Sequence, residues 1–251
     1  MINRVRNILF GLFILAVLSL PNLCFGQDEN LIPIVFEDYP PYEYVDDGEV
    51  KGINIDLIRE AFKRLGLKPF FEPRPWKRAV YEVQNGDIMA LSSGFKTEER
   101  EKYVYYSEGA GLGMETNCVV ALSVSGVKVE TLEDLRGLRI GVVRDYVYGS
   151  QFDSIKGLNK IEASSSHQLM RMLLNQRMDV AIGNKAVFRF LARNLGKLAH
   201  INFVYEIGSE PLYLMFSRAQ GKKAAKLSRD FGAVIREMKK DGTFQSIESK
   251  Y

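Results

Sequence analysis

The feature that most constrains this chain is an alternation, repeated twice, of short β-rich apolar runs with amphipathic stretches of helical period. "IPIVF" from Ile32 reads as a strand, and in "NIDLIREAFKRLG" the residues Leu57, Ile58, Ala61, Phe62 and Leu65 recur at helical spacing before Gly66 ends the run. "KPFFE" then reads as a strand. "PWKRAVYEVQNG" reads as a helix with Pro75 at its first turn and Gly86 past its end, and "IMAL" as a buried strand. A β-α-β-α-β order implies a largely parallel sheet with right-handed crossovers.

A second series starts after "GAGLG" (109–113), with strands at "NCVVAL", "LRIGVV" and "DVAI". Its helical stretches are a capped turn at "TLEDLRG", a helix start at "YVYGSQF", "SSHQLMRMLLNQ" and "KAVFRFLARN". "LYLMF" from Leu212 is a further strand. C-terminal helices follow, with Leu227, Phe231, Val234, Ile235 and Met238 as an apolar stripe broken at "DGT". Two series of this size predict two α/β lobes rather than one sheet. The extended, glycine-containing segments "GAGLGMETN" and "EIGSEP" would be the two strands of a hinge, which divides the mature chain into lobe one (27–112 and 214–251) and lobe two (113–213). A cleft between such lobes suits a small ligand.

Before these lobes, Arg4 and Arg6 precede an unbroken apolar run from Ile8 to Leu20 that stops at Pro21. The run is shorter than the roughly 20 residues of a membrane span and has the plan of a cleaved export signal over 1–26. Cys24 invites a lipoprotein reading, but "PNLC" lacks the small residues normally found before a lipidated cysteine. Loss of the leader leaves Cys118 as the single thiol, so no internal disulfide is expected in an oxidising compartment. It also removes two of 34 basic side chains, against 31 acidic ones, which makes nucleic acid an unexpected partner. With two histidines in the chain, no metal-ligand spacing occurs. There is no G-x-S-x-G elbow and no phosphate-binding glycine loop, and no cofactor is expected.

Four segments carry a resemblance: "EDYPPYEYVDDGEVKGINIDLIREAFKRLG", "SSGFKTEER", "LRGLRIGVV" and "MKKDGTFQSI", in that order along the chain. Together they are similar to landmarks of the extracellular solute-binding proteins of family 3, the receptors of polar amino-acid ABC importers. The resemblance implies a type II periplasmic binding protein, two α/β lobes joined by a two-segment hinge. It further implies an exported, periplasmic, monomeric receptor whose partners are a small anionic or zwitterionic ligand and an ABC permease or a separate membrane sensor.

By the same resemblance Ser92, Ser93 and Arg100 meet the ligand from lobe one, with the Arg100 guanidinium on a carboxylate. A guanidinium presents two parallel donors and stays charged when water is excluded. The residues alone also allow Arg100 to pair with Glu98, Glu99 or Glu101. Tyr39 and Trp76 match cleft-edge aromatics, with a core role as their alternative, and Phe95 replaces what is often a small hydroxyl residue.

Lobe two departs from the family pattern. "RDYVYG" stands in place of a Gly-Thr-Thr-like run whose amides bind the carboxylate; the amides of Tyr146 to Tyr148 could serve in its place while their rings shrink or reshape the cavity, and Arg144 is either a second cation or a surface charge. Asn184 stands where the family has an amine-binding aspartate, and either contributes to the site or caps a helix. These departures suit a ligand with a carboxylate or other anionic group and an aromatic or planar portion better than a standard α-amino acid, and they leave both an amine-bearing and an amine-free solute open. Some similar proteins are dehydratases acting on cyclic precursors of phenylalanine; that chemistry needs a general acid, for which Asp145 is the nearest candidate.

Overall fold

The computed structural model describes residues 30–107 and 109–251, so the leader expected over 1–26 lies outside the described residues. The first half runs β1 (Leu31–Phe36), β2 (Tyr44–Asp46), β3 (Glu49–Lys51), α1 (Ile53–Arg64), β4 (Lys68–Pro73), α2 (Trp76–Asn85), β5 (Ala90–Phe95), α3 (Glu98–Glu101) and β6 (Val104–Tyr106). After it come β7 (Gly113–Leu122), β8 (Arg139–Val143), α4 (Ser150–Asp153), β9 (Asn159–Ala163), α5 (Ser166–Leu174), β10 (Val180–Asn184), α6 (Lys185–Asn194) and β11 (Ile201–Ser217). The helices α7 (Gly221–Lys240) and α8 (Thr243–Glu248) end the chain. Among the described residues no helix is long and apolar enough to cross a membrane.

The helical stripes read from the sequence are the faces that pack. Leu57, Ile58, Ala61 and Phe62 of α1 meet Phe231, Ile235 and Met238 of α7 in one apolar cluster with Ile32 and Ile34 of β1. The C-terminal helices therefore return to the first half of the chain. Leu169 and Leu173 of α5 pack with Val187, Phe188 and Leu191 of α6 in a separate cluster that includes Cys118 and Ala181. Burial of such faces, rather than helix propensity, is what stabilises helices of this length.

The strands run in the order β4-β1-β5-β11-β7-β10-β8-β9, with β6 also on β11. Parallel pairs flank each half: β1 with β4 and β5, and β8 with β9 and β10. The strands expected to form separate sheets join into one ladder because β7 and β11 are long enough to serve both. They pair antiparallel from Gly113↔Leu212 to Leu122↔Ile201. Over 113–116 and 209–211 each has only the other as neighbour, since β10 joins β7 from Asn117 and β5 joins β11 from Leu212. Over these residues a two-stranded ribbon joins the two halves of the sheet. The hairpin β2–β3 and the short strands β6 and β9 add to the elements read from the sequence.

Gly52 shows how tightly the first half is closed. It precedes α1 at φ 128°, ψ 164°, a region essentially reserved for glycine, and a Cβ there would lie 2.2 Å from the Tyr42 carbonyl oxygen. Gly48, at φ 79°, would place a Cβ in open space. Gly48→Ala is expected to cost about 1 kcal/mol from backbone strain alone, and Gly52→Ala about 3 kcal/mol or more. Urea unfolding of the two variants measures the difference.

Candidate functional site

The site begins with a buried carboxylate. Glu43, 2% exposed, accepts hydrogen bonds from Ser92 Oγ (2.5 Å), Ser93 N (3.1 Å), Ser93 Oγ (3.0 Å) and Asn54 Nδ2 (3.4 Å). Asn54 is brought there because α1 starts against the Tyr42–Glu43 segment, its own N–H bonding the Tyr42 carbonyl at 2.9 Å. Both oxygens of Glu43 are thereby occupied, and the end of β5 is fixed in place. Burial still pushes the Glu43 carboxyl up to about 7, against the opposing pull of those hydrogen bonds.

Arg100 follows from the same strand. Thr97 caps α3, its hydroxyl accepting from Arg100 N at 3.2 Å. The guanidinium then folds back over the Trp76 ring, 5.0 Å from its centroid, and donates Nη1 to the Phe95 carbonyl at 3.1 Å. Arg100 is only 7% exposed and, among the described residues, makes no ion pair. Its neighbours in sequence do not satisfy it: Glu101 pairs with Lys96.

Two further buried carboxyls face this region. Glu37, at the end of the segment continuing β1, accepts a hydrogen bond from the Tyr146 hydroxyl. Its carboxyl is pushed up to about 8, chiefly by burial and further by the charges of Glu43 and Asp38, with the Tyr146 hydrogen bond opposing. Glu115 lies on the ribbon and accepts from the Tyr39 hydroxyl at 3.0 Å. Burial raises it to about 7, opposed by hydrogen bonds from Tyr39, Asn184 and Asn117.

Together these groups surround a cavity whose space for the centre of a water molecule is about 40 Å³. Tyr39, Trp76, Ser93, Phe95, Arg100 and Tyr146, all singled out in the sequence, line it; so do Glu37, Glu43 and Glu115, which were not. Tyr146 limits the volume, its ring standing edge-on to Trp76 (5.8 Å) and Tyr39 (6.1 Å). Trp76 Nε1 also donates to the Asp145 carbonyl at 3.2 Å, tying α2 to the segment after β8. Ser92 sits behind the cavity wall on Glu43.

Arg144 and Asn184 are placed elsewhere. Arg144 is exposed and pairs with Glu162 at 2.6 Å. Asn184 is 1% exposed and caps α6, its Oδ1 accepting from Ala186 N (2.7 Å) and Val187 N (3.0 Å) while Nδ2 donates to the Tyr42 hydroxyl (3.4 Å). Asp145 lines an outer groove on the far side of Trp76, with Lys77 at 3.9 Å.

A bilobal α/β fold with a charged cavity at its waist defines a type II periplasmic binding protein, a class that encloses small solutes. Residues 31–251 match the bacterial extracellular solute-binding proteins, family 3, and the chain belongs to that family. The L-cystine-binding protein TcyA of Bacillus subtilis is 23% identical over 226 residues, covering 85% of this chain and 77% of that protein. The histidine-binding periplasmic protein of Escherichia coli is 24% identical, covering 85% and 84%. Among solved structures, an ancestral arginine-binding protein bound to arginine superposes with TM-score 0.78 at 24% identity, covering 88% of this chain and 98% of that one. A histidine kinase sensor domain with similarity to periplasmic binding proteins gives 0.76 at 21%, covering 88% and 95%. Both structural likenesses concern the fold.

The three carboxyls make stability depend on pH in a stated direction. Folding raises them above the ordinary value of 4.5, so between that value and about 8 the folded protein holds more protons than the unfolded chain. Stability of the ligand-free protein is therefore fully present below about pH 4.5 as far as these groups are concerned, falls as pH rises through about 7 to 8, and then levels. Melting curves at pH 5.5 and 8.5 are expected to show a fall of several degrees, and Glu37→Gln a smaller one.

Proposed function

We propose that this protein is an exported receptor that encloses a small carboxylate-bearing solute, an amino acid or a related organic acid, and delivers it to an ABC importer in the inner membrane. The observation that carries this reading is Arg100: a buried guanidinium lining the cavity, with no carboxylate of the protein within ion-pair distance among the described residues. A bidentate carboxylate is the partner whose geometry suits it. Family membership supports capture rather than turnover, and the named ligands of the relatives, L-cystine and histidine, both carry a carboxylate.

In this reading the ribbon of 113–116 with 209–211 is the hinge, lobe one comprises 27–112 and 214–251, and lobe two comprises 113–213. Opening at the ribbon withdraws Tyr146 from Glu37 and admits the solute, and closure returns it. The protein acts as a monomer in the periplasm. Sensing is the second reading, since the same fold serves as the sensor domain of a histidine kinase; the closed form would then dock on a separate membrane receptor.

Binding measured by calorimetry, after a thermal-shift screen of amino acids and organic acids, tests the reading. Each charge-assisted hydrogen bond contributes about 1.5–3 kcal/mol. Arg100→Ala is therefore expected to weaken binding by about 100-fold or more, and Arg100→Lys by less. An Arg100→Ala protein that binds its solute unchanged would remove the basis for a carboxylate ligand.

A further inference from the structure

The charges around the cavity do not cancel within the protein. Among the described residues Arg100 has no carboxylate within ion-pair distance, and Glu37, Glu43 and Glu115 have no cation. Of the three, Glu43 is saturated by its donors from Ser92, Ser93 and Asn54. The other two are met by neutral donors alone: Glu37 by the Tyr146 hydroxyl, and Glu115 by the Tyr39 hydroxyl with the amides of Asn117 and Asn184 also facing it. A carboxylate can accept about four hydrogen bonds, so both retain capacity toward the cavity that they line.

Asn184, at the position where an amine acceptor was sought in the sequence, has none to spare. Its oxygen is used by two backbone N–H groups of α6, and it does not line the cavity. Any cationic group of a solute held by Arg100 must find its counter-charge elsewhere.

We propose that Glu37 and Glu115 form the subsite for an ammonium group of the solute, and that the ammonium displaces the Tyr146 hydroxyl from Glu37. This rests on the reading of the cavity as a solute site in which Arg100 takes a carboxylate. The two independent observations are the oppositely charged, buried Arg100 in the same cavity and the occupied state of Asn184. An ammonium is the fitting group because it brings three donors and a full charge where each tyrosine brings one donor and none. The subsite thus lies on the segment after β1 and on the ribbon, and Tyr146 from the segment after β8 acts as its intramolecular substitute when lobe two closes without an amine.

Proton release accompanies capture. Burial keeps both carboxyls protonated to higher pH than usual, and a bound ammonium favours their ionised form. The groups facing Glu37 are Asp38 and Glu43 from its own segment and Tyr146 from lobe two, with His167 of α5 at 3.9 Å from Asp38. Those facing Glu115 are Tyr39, Asn117, Asn184 and Glu43. Affinity for an amino acid is accordingly expected to rise between pH 6 and 8, by up to about tenfold per pH unit for each proton released.

The test is calorimetric titration of the whole mature protein with L-amino acids, each paired with its des-amino acid, such as L-phenylalanine with 3-phenylpropanoate and L-leucine with 4-methylpentanoate. In the pair that binds, the amino acid is expected to bind at least about tenfold more tightly than its des-amino partner. Glu37→Gln and Glu115→Gln should each reduce that ratio, and Tyr146→Phe, which keeps the ring and removes the competing hydroxyl, should increase it. Should Glu115→Gln fail to fold, Glu37→Gln and Tyr146→Phe decide the matter. Equal binding of both members of a pair, still lost in Arg100→Ala, overturns the ammonium subsite and leaves the carboxylate site standing. A ratio unchanged by Glu37→Gln and Tyr146→Phe also overturns the subsite, whereas binding of neither class overturns it together with the proposed function.

Discussion

Removing an ionisable group from water without a counter-charge is strongly unfavourable, and the waist of this protein does so at Arg100, Glu37, Glu43 and Glu115. Each burial is compensated in a different way. Glu43 is held by serine hydroxyls, a backbone N–H and an amide. Arg100 lies on the face of Trp76, where the ring quadrupole partly replaces lost hydration. Glu37 and Glu115 are pushed toward the neutral acid and bonded by phenols. The architecture of the cavity follows from keeping these four groups close together but unpaired.

That arrangement depends on where the elements end. β5 carries Ser92 to Phe95 to the waist, and the turn capped by Thr97 sends Arg100 back across it. The glycine at 94 lets Met215 and Arg100 approach, since a Cβ there would sit 2.5 Å from the Met215 methyl and 3.3 Å from Arg100 Nη1. β7 and β11 then cross the waist as a pair, which places Glu115 in the cavity wall and on the two-stranded ribbon between the halves of the sheet at once. In the proposed reading a ligand contact on that ribbon would couple occupancy to the angle between the lobes.

Much of this was legible in the sequence. The helix read at "KAVFRFLARN" is α6 residue for residue, because an asparagine cap and the stripe Val187, Phe188, Leu191 define both its start and its buried face. The run from Ser92 to Arg100 lies at the cavity because its order of hydroxyls, aromatic and guanidinium is local. Glu37, Glu43 and Glu115 were not legible as site residues. Glutamates in "FEDYPPYE" and "GMETN" look like ordinary solvated acids until β1, β5 and β7 bring them under the same wall. The pairing of Arg144 with Glu162 likewise depends on β8 lying beside β9, a strand that its mostly exposed sequence "NKIEA" does not announce. Two readings were open for Asn184, and only the tertiary position of α6 shows that its side chain is occupied in capping.

The most direct test of a carboxylate-capturing waist is a crystal structure of the protein with a solute found by thermal-shift screening. The expected result is a solute carboxylate bonded to the Arg100 guanidinium at about 2.7–2.9 Å inside a closed waist. A solute bound outside the cavity, with Arg100 making no contact to it, would contradict the central claim.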